Sequence, residues 1–534
     1  MIEDNMLTGK HLIQGHWTAT SDQTFQSVNP KTGEALPTRF TEAGAEEAES
    51  ALRAALSAFT QTRTFAGTDH ADFLEAIAAE IEAQETAAAL IGIAEQETAL
   101  PPARLQGELA RTTGQLRLFA RIAREGSWQE AVIDTPDPAR QPLPKPDLRR
   151  ILRPIGPVIV FDASNFPFAF GACGGDTASA LAAGNPVIVK AHPGHAGTDE
   201  MMAQAVLRVV NRLGLPAGIF SLLQGTGTEI GKLLVTHPAA EAVGFTGSQS
   251  AGRALFNLAS ARPRPIPVFA EMGSVNPLVV LPGAVQERAE TIADGLAGSI
   301  TMGVGQFCTK PGLIFYIDDQ GGRRFTELLA ERLEVSNEGT LLYPALRTRF
   351  DETIKSWQGV DGIQTRTTGA SSGAANCRPW LLETDSALWR GADELHEEAF
   401  GPAALLVRCT DTEDLLSALD LLPGQLTGSI HTGASDEPSN VRSVVGHLEA
   451  RVGRVVFNGY PTGVEVGFAM QHGGPYPATT ASGTTSVGAF AIRRFARPIA
   501  YQNLPDALLP PELQQANPLG LLRMVNGEWT QAAA

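Results

Sequence analysis

Three short stretches carry side chains able to do covalent chemistry. The first is Gly303-Val304-Gly305-Gln306-Phe307-Cys308-Thr309-Lys310-Pro311-Gly312, a glycine-bracketed loop between a helix-like and a strand-like segment. A thiol there is either a loop nucleophile or core filling, since free cysteine is among the most buried residue types. As a nucleophile it needs its thiolate form, and therefore a pKa lowered by nearby dipoles or positive charge. The second is Glu271, directly after the apolar run Ile266-Pro267-Val268-Phe269-Ala270 and before Met272-Gly273-Ser274. A carboxylate so placed reads as a partly buried general base or as a surface group closing a strand. The third is Asn165 in Ser164-Asn165-Phe166-Pro167-Phe168, whose amide can donate to a developing oxyanion or cap a turn.

A second set of residues suits a nucleotide. Gly225-Thr226-Gly227-Thr228-Glu229-Ile230-Gly231 follows a strand and opens a helix, with spacing G-x-G-x-x-x-G rather than the dinucleotide fingerprint G-x-G-x-x-G. Such a turn presents backbone N–H groups to a pyrophosphate, or simply turns the chain. Phe245-Thr246-Gly247-Ser248 is a similar junction: Gly247 admits close approach, and Ser248 either meets phosphate or caps its own helix. Lys190 ends a strand at the edge where ligands bind in open α/β sheets, so its ammonium reaches a ribose or phosphate, or only solvent. His192 and His195 have H-x-x-H spacing, but Pro193-Gly194 between them marks a loop and no third ligand is near; no metal is expected. His472, in Gln-His-Gly-Gly, is unremarkable by sequence.

These residues must be held by something. Residues 8 to 40 read as short strands and turns, followed by helical segments Ala45 to Arg63, His70 to Glu95 and one opened by Pro101-Pro102. Five prolines in 134 to 147 exclude a regular helix, leaving a linker or an extended arm into Leu148 to Leu152, and Thr484 to Ile499 is a second extended candidate. From residue 155 strands and helices alternate: strands Gly156 to Phe161, Pro186 to Lys190, Ile219 to Gln224, Ala242 to Phe245 and Ile266 to Glu271. Helix Phe170 to Ala183 lies between the first two. That is the pattern of a parallel nucleotide-binding sheet. A further α/β run extends from Asn276 to about His472, with helix Glu287 to Met302 and strand Leu313 to Ile317.

At 534 residues the chain exceeds one ordinary core, so two or three domains are expected. A formal charge of -17 argues against nucleic-acid or anionic-membrane partners. Mean hydropathy of -0.04, the absence of a long uncharged apolar run and the acidic start Met1-Ile2-Glu3-Asp4-Asn5 predict a cytoplasmic protein without a membrane span. The four scattered cysteines fit a reducing compartment.

Taken together, the motifs resemble the NAD(P)-dependent aldehyde dehydrogenase superfamily over nearly the whole chain. Ser164-Asn165-Phe166-Pro167, Phe245-Thr246-Gly247-Ser248, Glu271-Met272-Gly273 and Gly305-Gln306-Phe307-Cys308 stand in the family's order, with Ser164 where many members have Trp. Glu398-Ala399-Phe400-Gly401-Pro402 resembles its later motif, in which the Glu holds the nicotinamide ribose and the Phe packs beside it. The resemblance implies an α/β aldehyde dehydrogenase-like fold: a Rossmann-type cofactor domain (1-133 and 153-273), an α/β catalytic domain (274-480), a small oligomerisation arm (134-152 and 481-505) and a C-terminal extension (506-534). It implies that Cys308 attacks an aldehyde, that Asn165 and the Cys308 N–H hold the oxyanion, and that Glu271 activates water against the resulting thioester. The likeness is strongest to the α-ketoglutaric semialdehyde (2,5-dioxovalerate) dehydrogenases, on Gly474-Pro475-Tyr476-Pro477-Ala478-Thr479 and on Arg497-Pro498-Ile499-Ala500-Tyr501-Gln502-Asn503. Gly252-Arg253-Ala254-Leu255-Phe256 gives a second likeness, to NADP-using fatty-aldehyde dehydrogenases; a catalytically silent relative is a third, more distant alternative. Because Pro193 occupies the place where NAD-preferring relatives often carry a ribose-binding Glu, NADP is expected at Lys190, with NAD possible. The expected partners are a small-molecule aldehyde and identical subunits, as homodimer or homotetramer.

Overall fold

The computed structural model describes residues 7–367, 369 and 375–534. Two seven-stranded sheets dominate it. The first runs in the order Val268–Glu271, Ala242–Thr246, Val158–Phe161, Val187–Lys190, Phe220–Leu223, His11–Ile13 and His16–Thr18. Its first five strands are mutually parallel, and the N-terminal hairpin adds two antiparallel ones.

These short runs form central strands because both their faces are covered, the situation in which β-branched residues need no polar alternation. Val158, Val160, Val187 and Val189 pack into one apolar layer, while Ile159, Ile188 and Val243 pack into the layer on the other side. Each such side chain contributes about 1.5–3 kcal/mol when fully buried. The expected strands agree with the observed ones to within two residues at either end. The helix expected over Phe170 to Ala183 is shorter, Gly175–Ala182. Pro167, Gly171 and Gly174 keep the preceding stretch in turns, where Phe170 N–H donates to Phe166 O.

The second sheet runs Gln364–Thr367, Trp380–Asp385, Ala403–Cys409, Leu313–Ile317, Pro277–Val280, Gln425–His431 and Val452–Phe457. All neighbours are parallel except the first pair. The same two-sided burial recurs: Leu313 and Phe315 face one core, Ile314 and Tyr316 the other. A third, five-stranded sheet pairs Leu148–Pro154 antiparallel with Ala496–Gln502 and with Val132–Asp134. The strand Arg523–Val525 then joins Val132–Asp134 in parallel, so residues 506–534 contribute to the same sheet as the two arm segments. Thr484 to Ile499 is not extended throughout: Gly488 turns the chain at φ 93, Ala489–Phe495 is a 3-10 helix, and the strand begins at Ala496. No helix among the described residues is long and apolar enough to cross a membrane.

Candidate active site

Glu271 is the last residue of the edge strand of the first sheet, and Cys308 lies in the loop leading to the second. The loop is forced into shape by its backbone: Gly303, Val304 and Gly305 have φ of 56, 58 and 69, all left-handed. Glycine is required at 305, where a Cβ would stand 2.2 Å from Gly401 O. Val304 is a β-branched residue in a region that disfavours it, strain of order 1–3 kcal/mol that a tightly packed loop can hold. Asn276 secures the far side, its Nδ2 lying 2.8 Å from Cys308 O and 2.9 Å from Lys310 O. Its Oδ1 accepts from the hydroxyls of Ser274 and Thr427, so the amide is fully used.

Asn165 comes to the same place. Its Nδ2 donates to Gln306 O at 2.9 Å, two residues before the sulfur, which leaves one amide N–H uncommitted. Arg104 fastens the two motifs together: its guanidinium donates to Asn165 O at 2.9 Å and lies 5.2 and 5.0 Å from the rings of Phe166 and Phe307.

His472, which the sequence left unremarkable, is central. Its Nε2 is 3.0 Å from Glu271 Oε1 and 3.5 Å from Cys308 Sγ. Sulfur, imidazole nitrogen and carboxylate oxygen all lie within 4.8 Å of one another. Ser486 Oγ donates to the other Glu271 oxygen. Both residues arrive on the segment 472–486, which is zipped to the Glu271 strand where Met272 N–H donates to Ala478 O and Thr480 N–H to Ala270 O. Nδ1 of His472 has no partner among the described residues, so we assign the proton to Nε2, where a buried carboxylate needs a donor.

The electrostatics differ from the expectation of a lowered thiol pKa. Burial, then the negative charges of Glu271 and Glu398, push the Cys308 thiol well above its ordinary value, with Arg111 opposing. Half-buried Cys308 therefore rests as a thiol beside a carboxylate able to take its proton. For Glu271 burial acts upward, but His472, Ser486 and the Cys308 thiol outweigh it and hold the carboxyl below its usual range.

The cofactor candidates line the C-terminal edge of the first sheet and the interlobe side of the Cys308 loop. Lys190 Nζ donates to Gly225 O at 2.5 Å, and burial lowers its pKa to about 8 against the pull of Asp162, Glu42 and Asp199. Glu42 also accepts from Thr226 N–H at 2.9 Å, so an acid sits where the Pro193 argument anticipated none. Ser248 caps helix Gln249–Ser260 by accepting from Ala251 N–H, and Gly247 N–H donates to Glu271 O. Thr246 Oγ1 is buried there without a partner among the described residues. Glu398 approaches from the second lobe so closely that a Cβ on Gly273 would meet its Oε2 at 2.6 Å. Burial raises Glu398 to about 7, with Lys310 opposing. Phe400 packs at the border of the first core. His192 and His195 stack at 5.2 Å, and His195 Nδ1 sits 2.9 Å from Asp199, an internal pair rather than an open ligand set.

Sequence reasoning missed His472, Ser486 and Asn276. His472 lies 201 residues from Glu271 with no local spacing to mark it, and only the resemblance of the surrounding C-terminal stretch drew notice to that region.

Known proteins share the sequence and the fold of this chain. Residues 17–484 match the model of the aldehyde dehydrogenase family. The chain is 47% identical over 526 residues to alpha-ketoglutaric semialdehyde dehydrogenase 2 of Azospirillum brasilense, covering 98% of this chain and 99% of the relative. It is 43% identical over 533 residues to alpha-ketoglutaric semialdehyde dehydrogenase of Acinetobacter baylyi, covering 99% and 100%. The structure of PnpE in complex with nicotinamide adenine dinucleotide superimposes with TM-score 0.78 at 20% identity, covering 93% of this chain and 97% of that one, a likeness of fold. With a family match along most of its length and two full-length relatives, this chain belongs to the aldehyde dehydrogenase family.

Proposed function

We propose that the chain oxidises α-ketoglutaric semialdehyde to 2-oxoglutarate through a covalent bond to Cys308, using NAD(P). The observation that carries the reading is the convergence of Cys308 Sγ, the Glu271 carboxylate and the Asn165 amide at the meeting of the two sheets. The names of both full-length relatives support the substrate, over a fatty aldehyde.

The thiol proton passes to Glu271 as Cys308 Sγ bonds to the aldehyde carbon. The uncommitted N–H of Asn165 and the backbone N–H of Cys308 donate to the oxygen that becomes negative. When bound, the dinucleotide supplies the acceptor for the aldehyde hydrogen. A thioester on Cys308 remains. Glu271, once free of its proton, takes one from water as that water attacks the thioester carbon, and the acid leaves as sulfur recovers. His472 and Ser486 aim the carboxylate and keep it ionised.

The residues present fit a dinucleotide: Lys190 and the Gly225 turn suit a ribose, Gly247 and Ser248 a phosphate, Glu398 and Phe400 the nicotinamide end. The orphaned Thr246 hydroxyl is the buried polar atom such a ligand would satisfy. Lys190 favours a 2′-phosphate and Glu42 opposes one, so both cofactor forms are accepted, and Glu42→Gln shifts the ratio toward NADP. Ala496–Gln502 lies at the edge of its sheet and supplies the strand through which two subunits pair.

The test is a panel of α-ketoglutaric semialdehyde, succinic semialdehyde and hexanal, followed by absorbance of the reduced cofactor in wild type and Cys308→Ala. The keto-acid semialdehyde is expected to have the highest kcat/KM, and the variant none; activity surviving in the variant removes the covalent route.

A further inference from the structure

A donor stabilises a developing negative oxygen best when it is already aimed, because nothing then has to reorganise as the charge appears. Asn165 sits in a loop, so its aim depends on what holds the loop. Ala163 N–H donates to Phe170 O at 3.0 Å and Phe170 N–H to Phe166 O at 3.1 Å, which folds the segment 163–170 on itself. The contacts that set this loop against the nucleophile come from elsewhere in the chain.

Helix Pro102–Glu125 reaches the loop with two side chains four residues apart, and therefore on one face. Its Leu105 and Leu109 are buried in the same core as Phe168, so the helix is a fixed platform. Glu108 Oε1 accepts from Phe168 N–H at 2.8 Å and from Ala169 N–H at 3.1 Å, securing the far side of the loop. This is a buried acid serving two backbone donors. One turn earlier, Arg104 donates to the backbone carbonyl of Asn165 itself at 2.9 Å.

Arg104 also meets the nucleophile loop. Its guanidinium lies over Phe166 and Phe307, whose rings cross edge to face at 5.1 Å, and a Cβ on Gly303 would stand 2.7 Å from its Nη1. Phe307 directly precedes Cys308, and the peptide between them carries the second oxyanion donor, the Cys308 N–H. One planar group is thus bonded to the residue bearing the first donor and stacked on the residue that precedes the second. The two donors must reach a single oxygen at about 3 Å each, so their separation matters more than the strength of either. The hydrogen bond of Arg104 goes to a peptide, not to the sulfur or to the Glu271 carboxylate.

Deepening the function proposed above, and resting on it, we propose that Arg104 and Glu108 are positioning residues of the oxyanion site. Glu108 fixes the Asn165 loop to the helix, and Arg104 sets the Asn165 amide at its distance from the Cys308 N–H. They act in the steps that make a negative oxygen and leave the reactivity of the thiol unchanged.

Two reactions of Cys308 separate this role from a general disturbance of the loop. Addition to an aldehyde makes a negative oxygen, whereas alkylation by iodoacetamide forms an S–C bond as iodide leaves and makes none. For Arg104→Met, the burst of reduced cofactor with α-ketoglutaric semialdehyde is expected to slow by roughly 10- to 100-fold. Alkylation of Cys308, followed by intact mass without cofactor, should stay within about 3-fold of wild type. Slowing of both alike, or of neither, overturns the proposal. In an Asn165→Ala background, Arg104→Met should cost less than about 3-fold more, since the group it aims is gone. A full repeat of its loss there also overturns the proposal. Should Arg104→Met not fold, Glu108 decides: Glu108→Gln keeps an oxygen for both N–H groups and should stay within about 3-fold of wild type, whereas Glu108→Met slows the burst by roughly 10-fold or more with alkylation unmoved. Equal losses in those two variants overturn it. If Asn165→Ala alone leaves the burst at the wild-type rate, the functional reading of Asn165 fails, and the positioning role with it.

Discussion

Two carboxyl groups of the first sheet occupy nearly equivalent places and behave in opposite ways. Glu271 ends the strand Val268–Glu271, and Asp162 follows the strand Val158–Phe161; both are buried. Glu271 receives hydrogen bonds from His472 and Ser486 and is held below the usual carboxylate range. No described amide or guanidinium donor meets either Asp162 oxygen, and burial together with the charge of Asp199 and a hydrogen bond shared with it pushes its carboxyl well above that range, Lys190 offsetting only part. His195, whose Nε2 meets Ala163 O on the next residue, is engaged with Asp199 and raised to about 9. Burial beside a second carboxylate therefore yields a neutral acid. Donors aimed at the oxygens turn a buried carboxyl into a base.

Four substitutions sharpen or break this contrast. The largest effect is expected for Glu271→Gln, where steady-state turnover falls by roughly 10²- to 10⁴-fold. One slowed burst of reduced cofactor per active site survives in stopped-flow absorbance: losing the Glu271 charge lowers the Cys308 thiol pKa, so thiolate still forms by losing its proton to water, whereas the thioester is left without its hydrolytic base. Loss of the burst as well would assign Glu271 to proton removal from the thiol as its sole rate-determining task.

Next comes His472→Phe. Glu271 works ionised, so activity is present above its depressed pKa and lost as pH falls through it. Removing the imidazole raises that pKa, and the acid limb of the kcat profile should move to higher pH, with turnover at neutral pH down by roughly 10-fold or more. An unmoved limb would show that His472 does not tune the base.

Ser486→Ala removes a single donor and is expected to cost about 1–2 kcal/mol in the transition state, read as roughly a 5- to 30-fold lower kcat. Asp162→Asn should be the mildest, changing kcat by less than about 2-fold, since a neutral amide replaces a neutral carboxyl of the same shape. Its stability signature is distinctive: the folded pKa of Asp162 is raised, so wild type loses stability from this group as pH rises through that value, whereas Asn does not. Thermal melts should favour the variant increasingly toward alkaline pH, and a constant difference across pH would mean that Asp162 is ionised in the native state.

Much of this was legible in the sequence, and the rest failed for identifiable reasons. Valine and isoleucine runs between glycine turns located the parallel strands because two-sided burial leaves only apolar residues there. Helix Glu287 to Met302 was set five residues late: the observed helix is Pro282–Thr301, opened by a proline at its first turn. The glycine, proline and apolar flanks of Cys308, Glu271 and Asn165 mark tight turns at strand ends but leave their roles open, and only the order of the motifs, as a family resemblance, implied those roles. His472 and Asn276 did not, because what they do depends on contacts across the chain rather than on neighbours in it. Glu42 is a further case, brought beside Lys190 and the Gly225 turn from near the start of the chain.

The claim beneath all of this is that sulfur becomes acylated and that Glu271 releases it. Intact-mass measurement of Glu271→Gln, quenched after mixing with cofactor and α-ketoglutaric semialdehyde, addresses it directly. The account predicts a stable acyl adduct that peptide mapping places on Cys308, absent when cofactor is withheld beyond the reversible first addition. An unmodified Cys308 while the variant still turns over would contradict it.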